Sequence, residues 1–159
     1  VIFISVGTQL PFDRLVEIVD DWAGNVDGVE IFAQIGPGKY SPRNFKAVDF
    51  LKPNEISACY EKSSLIVAHA GMGTVLTAMK IRKPIIIFPR RFELGEHRND
   101  HQMATARWLK DKLDVPVAFE KNELLTLLSA RNGISAPRYI SDYAPAGFID
   151  KLHKALHAS

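Results

Sequence analysis

Short runs of β-branched and apolar residues alternate along the chain with longer stretches whose apolar positions recur every three or four residues. That alternation predicts βαβ units around a mostly parallel sheet. Residues 2–6 (IFISV) read as the first strand, stopping at Gly7-Thr8. Phe12, Leu15, Val16, Ile18, Val19 and Trp22 follow at helical spacing, with Asp13 and Glu17 near the helix start, where the dipole favours acidic groups. A second strand over 29–35 runs into Gly36-Pro37-Gly38, whose glycines permit positive φ and whose proline cannot continue a ladder. A short third strand is expected over 47–51, a helix from Pro53, and an apolar strand of the fully buried kind over 65–68 (LIVA).

HAGMGT then opens a helix reaching about Arg82, and residues 84–89 (PIIIFP) form a buried strand bounded by prolines. Residues 90–98 read as a polar loop and 100–113 as a helix offering Met103, Ala106, Trp108 and Leu109 for packing. Another strand is expected over 115–119 and a helix over 123–130 with Asn132-Gly133 as its stop. A proline-bearing connector over 134–146 leads to a last amphipathic helix, residues 144–158, with Phe148, Ile149, Leu152, Ala155 and Leu156 on one side. The expected fold is α/β: one doubly wound, mostly parallel sheet with helices on both faces, a single domain over residues 1–159.

Composition narrows the class. A length of 159 residues suits one domain, and 47% hydrophobic with 24% charged residues excludes disordered, collagen-like and disulfide-scaffold chains. Twenty Lys and Arg against eighteen Asp and Glu leave a net charge of +2, too little to make nucleic acid the expected partner. The single cysteine, Cys59, cannot form an internal disulfide and reads as a small buried apolar residue in a helix. No apolar run approaches the roughly 20 residues that cross a bilayer, and VIFISVGTQL has neither a basic leader nor a cleavage region. The expectation is a cytoplasmic protein whose membrane contact is peripheral or through a partner. Val1 in place of Met fits a chain numbered from inside the encoded protein, or a processed one.

In an open parallel sheet, ligands gather beyond the carboxyl ends of the strands, where loops lead into helix N-termini with free N–H groups. Three such loops stand out, 7–11, 69–74 and 89–102. In AHAGMGT two glycines one residue apart let backbone amides approach an anion just where a helix begins, so phosphate is the natural guest; a plain tight turn would need the same glycines. The motif is neither the dinucleotide GxGxxG nor a P-loop, and no GxSxG elbow occurs. The 9-residue stretch 90–98 is longer than the roughly 2–6 of a usual βα connection, which favours a binding loop, although Arg90, Arg91 and Arg98 against Glu93, Glu96 and Asp100 also suit a solvated face. Asn99 with Gln102 three residues later can make a capping-box-like helix start. His97 and His101 lack the HExxH pattern, so no metal is expected, while His69 is either an acid/base or hydrogen-bonding group or a satisfied core histidine.

SVGTQLPFDRLV, QIGPG and IVAHAGMGTVLTAMKIRKPIIIFPRR followed by NDHQMATARWL, in that order, resemble the carboxyl-terminal, donor-binding domain of family 28 GT-B glycosyltransferases over about the first 110 residues. Within that family the chain is similar to small stand-alone subunits, such as the cytosolic subunit of the dolichol-linked N-acetylglucosaminyltransferase and its bacterial counterparts in exopolysaccharide or capsule assembly. The resemblance implies half of a GT-B enzyme: a domain that binds a UDP-sugar and transfers the sugar, beside a membrane-associated acceptor-binding partner, to a lipid-linked or polysaccharide acceptor. It implies that Gly71, Gly73 and Thr74 meet the diphosphate and that His69 lines the same crevice. Gly7 and Thr8 would face the partner, and Asn99, His101 and Gln102 would lie near sugar and phosphates. Arg91 or Arg98 would neutralise the leaving diphosphate in place of a metal, with His69 and Arg91 the candidate catalytic groups. Where the family usually carries a ribose-binding Glu this chain has Thr77, a shorter and weaker contact. The apolar face of the last helix packs either on its own domain or, as the resemblance implies, on the partner, and without a partner exposed apolar surface would pair two copies of the chain. A non-catalytic scaffold of a polysaccharide-synthesis complex, or an epimerase-like enzyme on UDP-sugars, are the alternatives.

Overall fold

The computed structural model describes residues 1–138 and Lys154. Five strands, β1 (Ile2–Ser5), β2 (Ile31–Gln34), β3 (Lys46–Val48), β4 (Leu65–Ala68) and β5 (Ile85–Ile87), form one sheet in the order β3-β2-β1-β4-β5, every pair parallel. Among the described residues five α-helices connect or follow them: α1 (Asp13–Ala23), α2 (Pro53–Lys62), α3 (Met72–Lys80), α4 (His101–Leu113) and α5 (Lys121–Ser129). Strand side chains alternate between the faces, so Ile2 and Ile4 go to one core with α1 and α5, while Phe3 goes to the other with α2, α3 and α4. On the first face Leu15, Val16, Val19, Leu124 and Leu128 are fully buried; on the second Val75, Ala78, Met79, Ala106 and Leu109 are. The expected doubly wound architecture is the observed one. Because β1 is followed by its neighbour on one side and β4 lies on the other, strand order reverses between β1 and β4, which opens a crevice above their carboxyl ends.

One expected strand fails. Over 115–119 only an isolated parallel bridge, Ile87 to Val117, forms. Pro116 has no N–H to give, and the amides of Phe119 and Glu120 turn away to the Glu123 carboxylate, at 2.6 and 3.2 Å. The same carboxylate completes the capping box that starts α5 at Lys121, two residues ahead of the expected 123. Cys59 is partly rather than fully buried, against the second core. Among the described residues no helix is long and apolar enough to cross a membrane. The expected last helix, residues 144–158, lies outside the described residues apart from Lys154.

Candidate functional site

The crevice at the sheet reversal holds a cavity of about 680 Å³. Its walls are the loop after β1 (Gly7 to Leu10), the loop after β4 leading into α3, and the start of α4. Gly7 takes φ +80°, which turns the chain sharply off β1. Gly71 is the N-cap of α3 in an extended conformation with no side-chain cap, so the first amides of that helix have no side-chain acceptor. Val75 already bonds back to the Gly71 carbonyl at 3.2 Å. A Cβ on Gly73 would meet nothing within 4 Å. Backbone N–H groups and the positive end of a helix dipole thus face open space at the cavity wall.

The two glycines of GxG serve different ends. A Cβ on Gly71 would sit 2.1 Å from His69 Nε2, and one on Gly7 would sit 2.8 Å from His69 Cε1, so these two glycines flank the imidazole. Nδ1 of His69 lies 3.2 Å from the Ser5 carbonyl. Burial, helped by the nearby Arg90 and His97, pushes its pKa down to about 4. The ring is neutral at physiological pH.

Of the residues expected at the site, Gly7, Thr8, His69, Gly71, Gly73, Thr74, Thr77, His101 and Gln102 all line the cavity. Thr74 Oγ1 is 3.4 Å from the Tyr60 hydroxyl, and the Thr77 hydroxyl donates to the Gly73 carbonyl of its own helix at 2.8 Å. Arg91, Arg98 and Asn99 are not brought to the wall. Arg91 is tied to the start of α5, donating to the Phe119 carbonyl at 2.7 Å and pairing with the Glu120 carboxylate and, at 3.3 Å, with Glu93. Arg98 is exposed. Asn99 stands one layer behind: its Oδ1 accepts from the His101 amide at 3.0 Å and from His97 Nδ1 at 3.1 Å. The capping-box pairing of Asn99 with Gln102 does not occur, because Gln102 turns inward. Its Oε1 accepts from the amides of Ala70 (3.3 Å) and Arg90 (3.0 Å), tying the glycine loop to the exit of β5.

Sequence reasoning missed Arg90. It is 3% exposed, and its guanidinium donates to the carbonyls of Val6, at 2.7 Å, and Leu10 while its Nε has no partner among the described residues. Burial pushes its pKa down to about 10, which Glu96 opposes, so it stays charged at neutral pH. The signal was present: Phe88 and Arg90 are two apart on extended chain and point to one side, where Phe88 stacks on Phe12 and Arg90 lies 5.0 Å over the same ring. Gln34, 1% exposed with an unbonded Oε1, also lines the cavity.

Among the described residues the cavity wall carries Arg90 and three histidines but no carboxylate. The nearby acid, Glu96, is engaged elsewhere, bidentate with Arg14 at 2.6 and 2.8 Å and accepting the Arg91 amide at 2.8 Å. Such a lining favours an anion over a cation. Among the described residues no three His, Cys, Asp or Glu side chains converge as a metal set.

The model of the glycosyltransferase family 28 C-terminal domain matches residues 1–128. A search of curated protein sequences gives no match. Among solved structures, the fold is similar to Acinetobacter baumannii MurG (TM-score 0.61, 20% identity, covering 82% of this chain and 40% of that one). It is also similar to the solution structure of ALG13 (TM-score 0.62, 18% identity, covering 98% of this chain and 96% of that one). The kitacinnamycin glycotransferase follows (TM-score 0.57, 19% identity, 99% of this chain and 39% of that one). The chain thus spans about two fifths of two of these proteins and nearly all of the third.

Proposed function

The chain belongs to glycosyltransferase family 28 through its C-terminal domain, and on that premise we propose that it is the donor-binding part of a UDP-sugar-dependent glycosyltransferase. One observation carries the reading: a cavity at the reversal point of the sheet, without carboxylates among the described residues, whose wall combines the uncapped start of α3 with the buried Arg90. The pyrophosphate lies against the amides of residues 72–74 and the Thr74 hydroxyl. Arg90, in place of Arg91 or Arg98, supplies the fixed positive charge that stabilises the leaving diphosphate. His101 and Thr77 face sugar and ribose. No divalent ion is required in this scheme.

The acceptor, lipid-linked or polysaccharide, is bound by a membrane-associated partner that closes the other side of the crevice. The partner recruits the chain to the cytoplasmic face of the membrane. Titration calorimetry with UDP and UDP-sugars tests the reading: wild type binds and Gly73→Val does not. Absence of binding by wild type, or equal binding by both, overturns it. A second reading, a non-catalytic subunit of a polysaccharide-synthesis complex, is favoured by the Thr77 hydroxyl being spent on its own helix. It predicts that Gly73→Val leaves sugar transfer by the assembled complex unchanged.

A further inference from the structure

The two ring nitrogens of His69 stand in different circumstances. Nδ1 faces the Ser5 carbonyl at 3.2 Å. A carbonyl oxygen only accepts, so Nδ1 carries the hydrogen and a neutral ring has a bare lone pair at Nε2. No group among the described residues bonds Nε2, which is not sealed off, and the ring lines the cavity. The ring fills the space that the missing side chains of Gly7 and Gly71 leave, a Cβ on either of which would fall within 3 Å of it. Around it Arg90, from the exit of β5, and His97, from the following loop, both oppose a positive charge. Among the described residues His101 of α4 and Tyr60 of α2 are the other titratable groups on the cavity wall, and none of the residues lining it is a carboxylate.

A bare lone pair on the wall of an anion site conflicts with phosphate oxygens, which also only accept. Docking of a dianion reverses the balance: it screens Arg90 and His97 and supplies the missing opposite charge beside Nε2. We propose that His69 takes up one proton from solvent as the nucleotide-sugar docks and holds the pyrophosphate as an imidazolium, so that donor binding and protonation of Nε2 are one event. The inference rests on the nucleotide-sugar reading and deepens it. No covalent bond changes; the proton enters from solvent with the donor and leaves with the released diphosphate.

Calorimetry with UDP-glucose and UDP-N-acetylglucosamine, whose diester pyrophosphates do not titrate near neutrality, measures this directly. Runs at several pH values from 5 to 8, each in buffers of different ionisation enthalpy, give the protons taken up. The expected result is uptake approaching one proton and an affinity that falls by up to about tenfold per pH unit within the window where uptake occurs. In His69→Gln, which keeps a neutral ring-sized donor, both the uptake and the pH dependence vanish. Ring nitrogen NMR shifts of the wild-type protein give the same answer should that variant fail to fold: Nε2 moves to the protonated range on saturation. Tight, pH-independent binding without uptake overturns the inference while leaving the nucleotide-sugar reading intact, as does uptake that persists in His69→Gln. Failure of every uridine compound to bind at any pH overturns the reading itself.

Discussion

Replacing Gly71 by alanine separates the two glycines of the phosphate loop. Gly71 has φ −85° and ψ 125°, a conformation open to any residue, so alanine introduces no backbone strain. Two costs remain. Losing glycine at an N-cap costs roughly 0.5–1 kcal/mol. The new methyl would stand 2.1 Å from His69 Nε2 and 2.8 Å from Cε1, so the ring must leave its slot, at about 1–3 kcal/mol for an overpacked site. Gly71→Ala is therefore expected to lose roughly 1.5–4 kcal/mol in urea unfolding, a fall in midpoint at unchanged slope. The clash involves only the imidazole, so in a His69→Ala background the same change should cost only the capping part. The double-mutant cycle should show a coupling of about 1–3 kcal/mol, well above the roughly 0.5 kcal/mol expected of independent sites. Gly73→Val, two residues on, places its Cβ in open space and swaps glycine for a slightly better helix former, so its stability should stay within about 0.5 kcal/mol of wild type. Additivity of Gly71→Ala with His69→Ala would refute the slot.

Three further outcomes are expected. The native pKa of His69, about 4 against an ordinary 6.5, means that between these values the unfolded chain holds a proton that the folded one does not. Stability is therefore whole above about pH 6.5 and declines as pH falls toward 4, by up to about 3 kcal/mol, and denaturation of His69→Leu across that range should lack this decline. Gln102→Leu orphans the amides of Ala70 and Arg90 and should cost roughly 2–4 kcal/mol by thermal or urea unfolding, with Gln102→Glu, which keeps the acceptor, recovering much of it. Arg91→Ala should lower stability by about 1–2 kcal/mol through lost contacts to Phe119 and Glu120, yet leave UDP affinity by calorimetry within about twofold.

Much of this was legible in the sequence because burial on both faces of a parallel sheet writes itself as uninterrupted apolar runs. LIVA is the clearest case, and its expected bounds are the observed ones. The run over 115–119 looked the same and was not a strand, because its hydrogen bonds were decided by Pro116 and by a carboxylate on the next helix, neither of which enters an apolar count. The glycine loop could be located from its pattern, but not the division of labour inside it. That Gly71 makes room for His69 while Gly73 faces open space depends on where one imidazole points. The arginines show the same limit. Neighbours in sequence, Arg90 and Arg91 leave extended chain in different directions, one into the crevice and the other to α5, and composition treats them alike. Gln102, a plausible cap by spacing, is recruited by two amides more than ten residues away in the chain or on another loop.

The central claim, that the start of α3 receives a pyrophosphate, is tested most directly by following backbone amide resonances while UDP is added. The account predicts that Met72, Gly73 and Thr74 shift together and saturably, with the Arg90 side chain, and that Gly73→Val abolishes the response. Saturable shifts confined to other parts of the chain, with those three amides unmoved, would contradict it.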